Sequence, residues 1–105
     1  MASTSTSSDG APLILRIEFG KPGGALWPGD RRSADLLGYG ALDTTLGLTG
    51  AHRESLADLA QRHAMLRKGR PTAQTLATFR ADAEALRASL AAHLGPRYTV
   101  LTGVI

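Results

Sequence analysis

The chain has no cysteine. That excludes disulfides, thiol nucleophiles and thiolate metal sites. No apolar run approaches the ~18 residues that a membrane-spanning helix needs. Aromatic side chains are scarce: two Phe, two Tyr and one Trp. Basic and aromatic residues therefore do not interleave as they do in RNA-binding modules that stack bases. There is no GxxxxGK followed by Ser or Thr, and no GxGxxG between a strand and a helix, so no phosphate loop is spelled out. Paired carboxylates are missing as well: Asp82 and Glu84 stand two apart, on different faces of a helix. The leading MASTSTSSDG has neither the basic start nor the apolar stretch of a secretory signal. The expected location is cytoplasmic.

What is present fits one small domain. At 105 residues a chain can bury a single core with little to spare. The hydrophobic fraction of 43% and the charged fraction of 20% are ordinary for a globular protein. The net charge of +3 comes from 12 Lys+Arg against 9 Asp+Glu. That balance permits contact with a polyanion without requiring it.

Residues 72–94 carry the strongest pattern. Leu76, Phe79, Ala83, Leu86, Leu90 and Leu94 recur at spacings of three and four, the stripe of a helix with one buried face. Thr72 is the expected N-cap, and Gly95-Pro96 the stop. Residues 50–67 read as a second helix, capped by Thr49 and ended by Gly69, with His52, Leu56, Leu59, His63 and Leu66 on its inner stripe. The connection Lys68–Pro71 is short, which predicts antiparallel neighbours.

Two strands flank this helix pair. In 12–19, Leu13, Leu15, Ile17 and Phe19 alternate with Ile14, Arg16 and Glu18, which predicts a strand with one apolar face. Residues 97–104, rich in β-branched and aromatic side chains, predict a C-terminal strand that pairs with the first. Between them, 20–33 is broken by glycine and proline. Residues 34–48 are ambiguous, because Gly38-Tyr39-Gly40 argues against a helix. We expect a third short strand at 36–42 and a turn at Asp43–Thr45. Residues 1–11 are expected to be a disordered tail, and 12–105 a single domain.

The predicted fold class is α+β. An antiparallel two-helix hairpin packs on one face of a small sheet made from an N-terminal and a C-terminal strand.

Candidate sites follow from residues that this fold leaves unexplained. Leu26 and Trp27 form an apolar pair inside a Gly/Pro loop. Such a pair either plugs the core or meets a partner, and Trp is frequent at interfaces. Together with Arg31 and Arg32 they form the candidate partner-binding set. Arg67, Lys68 and Arg70, with Arg62 below them, cluster at the hairpin tip and are candidate phosphate contacts. His52 and His63 are eleven residues apart, ~16 Å along a helix, too far to share an ion. His52 and His93 can approach at the open end of the hairpin, but without a placed carboxylate. No metal and no cofactor is expected. Ser33, Thr44, Thr45, Ser55 and Ser89 are hydroxyls without a spaced His/Asp set. Asp30 and Asp43 suit turn formation better than catalysis.

Four short stretches, Leu15–Phe19, Leu26–Trp27, Gly47–Thr49 and Leu94–Val100, resemble small uncharacterised proteins of actinobacterial genomes. They cover about a quarter of the chain. That family pattern carries a Trp in the first helix and more acidic residues, and this chain lacks both. The resemblance implies a compact α+β fold. It implies no activity and transfers no functional residue.

The function expected is a small protein-interaction module that binds a partner protein, of the accessory or immunity/antitoxin kind, without catalysis. A homodimer through a free strand edge is also expected. One alternative is a nucleic-acid-binding protein that uses the basic tip. Another is a small biosynthetic-cluster enzyme such as a cyclase or hydrolase, with a polar pocket near Asp30, Asp43 and His52.

Overall fold

A computed structural model describes residues 11–102. Nearly all of the expected tail, and positions 103 and 104 of the expected C-terminal strand, lie outside the described residues. Among the described residues the protein is α+β, with three helices and a three-stranded mixed sheet. The strands are β1 (Leu13–Ile17), β2 (Leu26–Pro28) and β3 (Tyr98–Thr102). The helices are α1 (Arg31–Leu37), α2 (Gly50–Lys68) and α3 (Ala73–Leu94).

The long helices start and stop on local signals. Thr49 accepts from the His52 amide and Thr72 from the Thr75 amide, each satisfying one orphan donor of a first turn. Gly69 ends α2 and Gly95 ends α3. Their inward residues are those of the two stripes. Leu56, Leu59 and His63 are buried on α2, and Phe79, Ala83, Leu86 and Leu90 on α3.

The sheet runs in the order β2-β1-β3. β1 pairs antiparallel with β2, through Leu15–Pro28, Arg16–Trp27 and Ile17–Leu26. It pairs parallel with β3, from Leu13–Tyr98 to Ile17–Thr102. Leu15, Ile17, Leu26 and Val100 point into one core with Leu56, Phe79, Leu86 and Leu90. Each fully buried large side chain contributes about 1.5–3 kcal/mol.

The structure corrects the expected strand at 36–42. The third strand is β2, inside the Gly/Pro region, and the segment before Gly38 is helical. Asp30 provides the reason, because its side chain accepts from the Ser33 amide at 2.8 Å and caps α1. Gly38, at φ +100°, then takes the chain out of the helix in a conformation that other residues rarely adopt. The expected turn does occupy 43–45. Leu42 and Leu48 return to the core, which accounts for the apolar excess of 34–48.

β2 is only three residues long, and it is held from outside itself. Its Leu26 carbonyl accepts from the Leu42 amide at 2.7 Å. The Asp43 carboxylate accepts from the Leu26 amide at 2.9 Å and the Ala25 amide at 3.0 Å. A side chain at Gly24 would collide with that carboxylate, so glycine there is required by close approach.

Candidate functional site

The pair Leu26–Trp27 divides. Leu26 is fully buried in the core, so it is not available to a partner, and its place in the expected binding set is corrected. The physical reason is strand alternation: successive side chains take opposite faces of the sheet. Trp27 falls on the outer face, opposite Arg16, and is half-buried.

Trp27 and Arg31 line one open groove of about 500 Å³, together with Lys21, Asp30 and Tyr39. The Lys21 ammonium lies 5.1 Å from the Trp27 ring centroid, within the range of a cation–π contact. The same ammonium is 3.3 Å from Glu18. Tyr39 is 68% exposed, and its hydroxyl donates to the Asp35 carboxylate. That bond raises the phenol pKa above its ordinary value. The carboxyl of Asp30 is held below its ordinary range by hydrogen bonds from the Ser33 hydroxyl and amide. Asp30 and Asp35 are therefore engaged within α1 and its flanks.

Two donors on the outer sheet face lack an acceptor. The indole nitrogen of Trp27 and Nε of Arg16 are both shielded from solvent and unbonded. They belong to directly opposed residues. A donor left in this state carries a desolvation cost of about 1–3 kcal/mol.

Arg31 and Arg32 are not brought together. Arg31 lines the groove. Arg32 reaches back instead to the Ala11 carbonyl at 3.0 Å and the Pro12 carbonyl at 3.3 Å, and steadies the entry to β1. The basic tip also loses a member. Arg62 bonds Asp82 at 2.8 Å, with Asp58 at 3.7 Å. Arg67, Lys68 and Arg70 are exposed.

The expected approach of His52 and His93 is present, and it belongs to a polar cluster whose Ser89, Thr49 and Gly47 contacts were not expected from the sequence. His52 Nε2 lies 2.9 Å from the Ser89 hydroxyl, and its Nδ1 lies 3.1 Å from the Thr49 hydroxyl. The His93 ring stands 5.0 Å from that of His52, while His93 Nε2 is 3.2 Å from the Gly47 carbonyl. No signal pointed to Ser89, because it and His52 are 37 residues apart. His52 and Ser89 line a groove of about 610 Å³. Asp30 and Asp43 do not join them: Asp30 lines the Trp27 groove and Asp43 is bound to the β2 amides. Among the described residues no three His, Asp or Glu side chains are grouped to hold a metal. No helix among them is long and apolar enough to cross a membrane.

No protein-family model, curated protein or solved structure matches the chain.

Proposed function

We propose that the protein is a small interaction module whose long helices lie as an antiparallel pair over one sheet face, and whose Trp27 groove receives a segment of a partner protein. The observation that carries this reading is the pair of unsatisfied donors, Trp27 Nε1 and Arg16 Nε, beside an open groove. A half-buried Trp with flanking cations suits a segment that brings both an apolar side chain and acceptors. Lys21 is half exposed over the indole, so it can lift away at little cost. Arg31 is exposed and ready to meet a carboxylate. The partner segment is therefore acidic and carries one large apolar anchor.

The experiment is a display selection of peptides on the full chain, followed by titration read through the single Trp. Selected peptides are expected to be acidic, to shift Trp27 emission saturably, and to lose affinity in Arg31→Glu while circular dichroism is unchanged. Binders that leave the emission unmoved and ignore Arg31→Glu overturn the assignment.

A further inference from the structure

We infer that the outer edge of β3 is the interface of a two-fold homodimer, formed by antiparallel pairing of β3 with the β3 of a second copy. This stands independently of the Trp27 groove.

The two edges of the sheet are finished differently. On β2 the outward backbone groups are the Pro28 carbonyl, proline having no N–H to leave open, and both groups of Leu26. Both Leu26 groups are satisfied, the amide by Asp43 and the carbonyl by Leu42. On β3 the direction of the backbone groups follows from the ladder. Leu13 donates to the Arg97 carbonyl at 2.9 Å, and Leu13 is paired with Tyr98. In a parallel pair the groups alternate, so 97, 99 and 101 face β1. Tyr98, Val100 and Thr102 turn their N–H and C=O outward.

Among the described residues that outward row is thinly covered, at its first amide and at its central carbonyl, and pairing with a second strand displaces or shares both contacts. The Tyr98 amide bonds Gly95 at 3.3 Å, and Arg87 reaches the Val100 carbonyl at 3.4 Å. Both contacts are long. An open strand edge is a template for another strand.

A second copy matches this template. Three outward residues at a spacing of two, centred on Val100, are self-complementary under a two-fold axis. Val100 faces Val100, and Tyr98 faces Thr102, each pair exchanging N–H and C=O. Leu101, 39% exposed on the outer face, then stands opposite Thr99 of the second copy. Charge is matched as well. Arg87 sits at the edge and holds Glu84 at 2.6 Å. The axis brings two such pairs side by side, so that each arginine can meet the other copy's glutamate.

The test is the mass of the full chain by sedimentation across a concentration series. A dimer is expected. Thr102→Pro removes an outward amide that the β1 ladder does not use, and edge positions tolerate proline. It is expected to raise the dimer dissociation constant about tenfold or more, with the monomer still folded by circular dichroism. A second arm does not depend on that variant. The doubly swapped chain, Glu84→Arg with Arg87→Glu, keeps its own pair and is expected to form homodimers. Mixed with the native chain, it is expected to form few heterodimers, because like charges then meet across the axis. A monomer at every concentration overturns the proposal. So does a dimer indifferent to Thr102→Pro that mixes freely with the swapped chain.

Discussion

The Ser33 hydroxyl accepts the amide hydrogen of Ile14 at 2.7 Å, across nineteen positions of sequence. Ile14 is on β1, at the point where β2 has already ended at Pro28. The Gly29 amide still donates to the Ile14 carbonyl at 2.7 Å, and a side-chain oxygen from α1 stands in for the acceptor that would complete a fourth β1–β2 pair. Ser33 is fully buried, and its hydroxyl in turn bonds Asp30, the cap of its own helix. One serine joins helix start to strand.

Ser33→Ala is expected to cost about 1–3 kcal/mol, the penalty of a shielded amide without an acceptor. Urea unfolding measures it. A loss below a few tenths of a kcal/mol would mean that water replaces the hydroxyl.

Asp43→Ala is expected to cost more than Asp43→Asn, because asparagine keeps one acceptor for the amides of Ala25 and Leu26 while alanine keeps none. Gly24→Ala is expected to act at the same joint by pushing the carboxylate away. A double variant of Gly24→Ala and Asp43→Ala is then less destabilised than the two single losses added together. Strict additivity, read by thermal unfolding, would separate the two positions.

The halves of the Leu26–Trp27 pair are expected to respond differently. Leu26→Ala opens a cavity in the core and costs about 2–5 kcal/mol. Trp27→Phe keeps an aromatic ring and removes an unsatisfied donor, so its cost stays under ~1 kcal/mol. Chemical denaturation of both variants checks the order, and a reversed order would place the indole in the core.

His63 gives the protein a pH-dependent term. It is buried beside Phe19 and Phe79, with ring centroids at 5.4 and 6.1 Å. Burial, with the charge of Arg67, holds its pKa below the ordinary 6.5. The unfolded chain therefore takes up this proton at a higher pH than the folded one. Its contribution is full above about 6.5 and is lost as pH falls from there towards the folded pKa, below which it is constant. Unfolding midpoints of native and His63→Leu chains, measured from pH 7.5 to about 5, are expected to diverge in slope as pH falls. Parallel slopes would contradict this.

The expected ends of both long helices and the paired terminal strands were legible because their signals are local. Thr49, Thr72 and Gly95 act within one turn of themselves. Leu56, Leu59, Phe79 and Leu90 repeat at the period of the helix that they bury. By contrast, α1 has seven residues and turns only Ser33 and Ala34 fully inward. Two inward positions are too few for a period to show. Leu36, 64% exposed, also made the segment look more apolar than its buried face is. β2 was illegible for a related reason: three residues cannot display an alternation.

The sequence by itself determined the elements whose hydrogen bonds close within a few residues, namely two capped helices, and the apolar strand that carries Leu15 and Ile17. Only the tertiary structure decided β2, the groove at Trp27 and the contrast between the two sheet edges. Their bonds are supplied by Ser33, Leu42 and Asp43, which lie sixteen to nineteen positions away from the strand residues they serve. A backbone donor finds such a partner only after the chain has folded back. Until then nothing in its neighbours says where the acceptor will be.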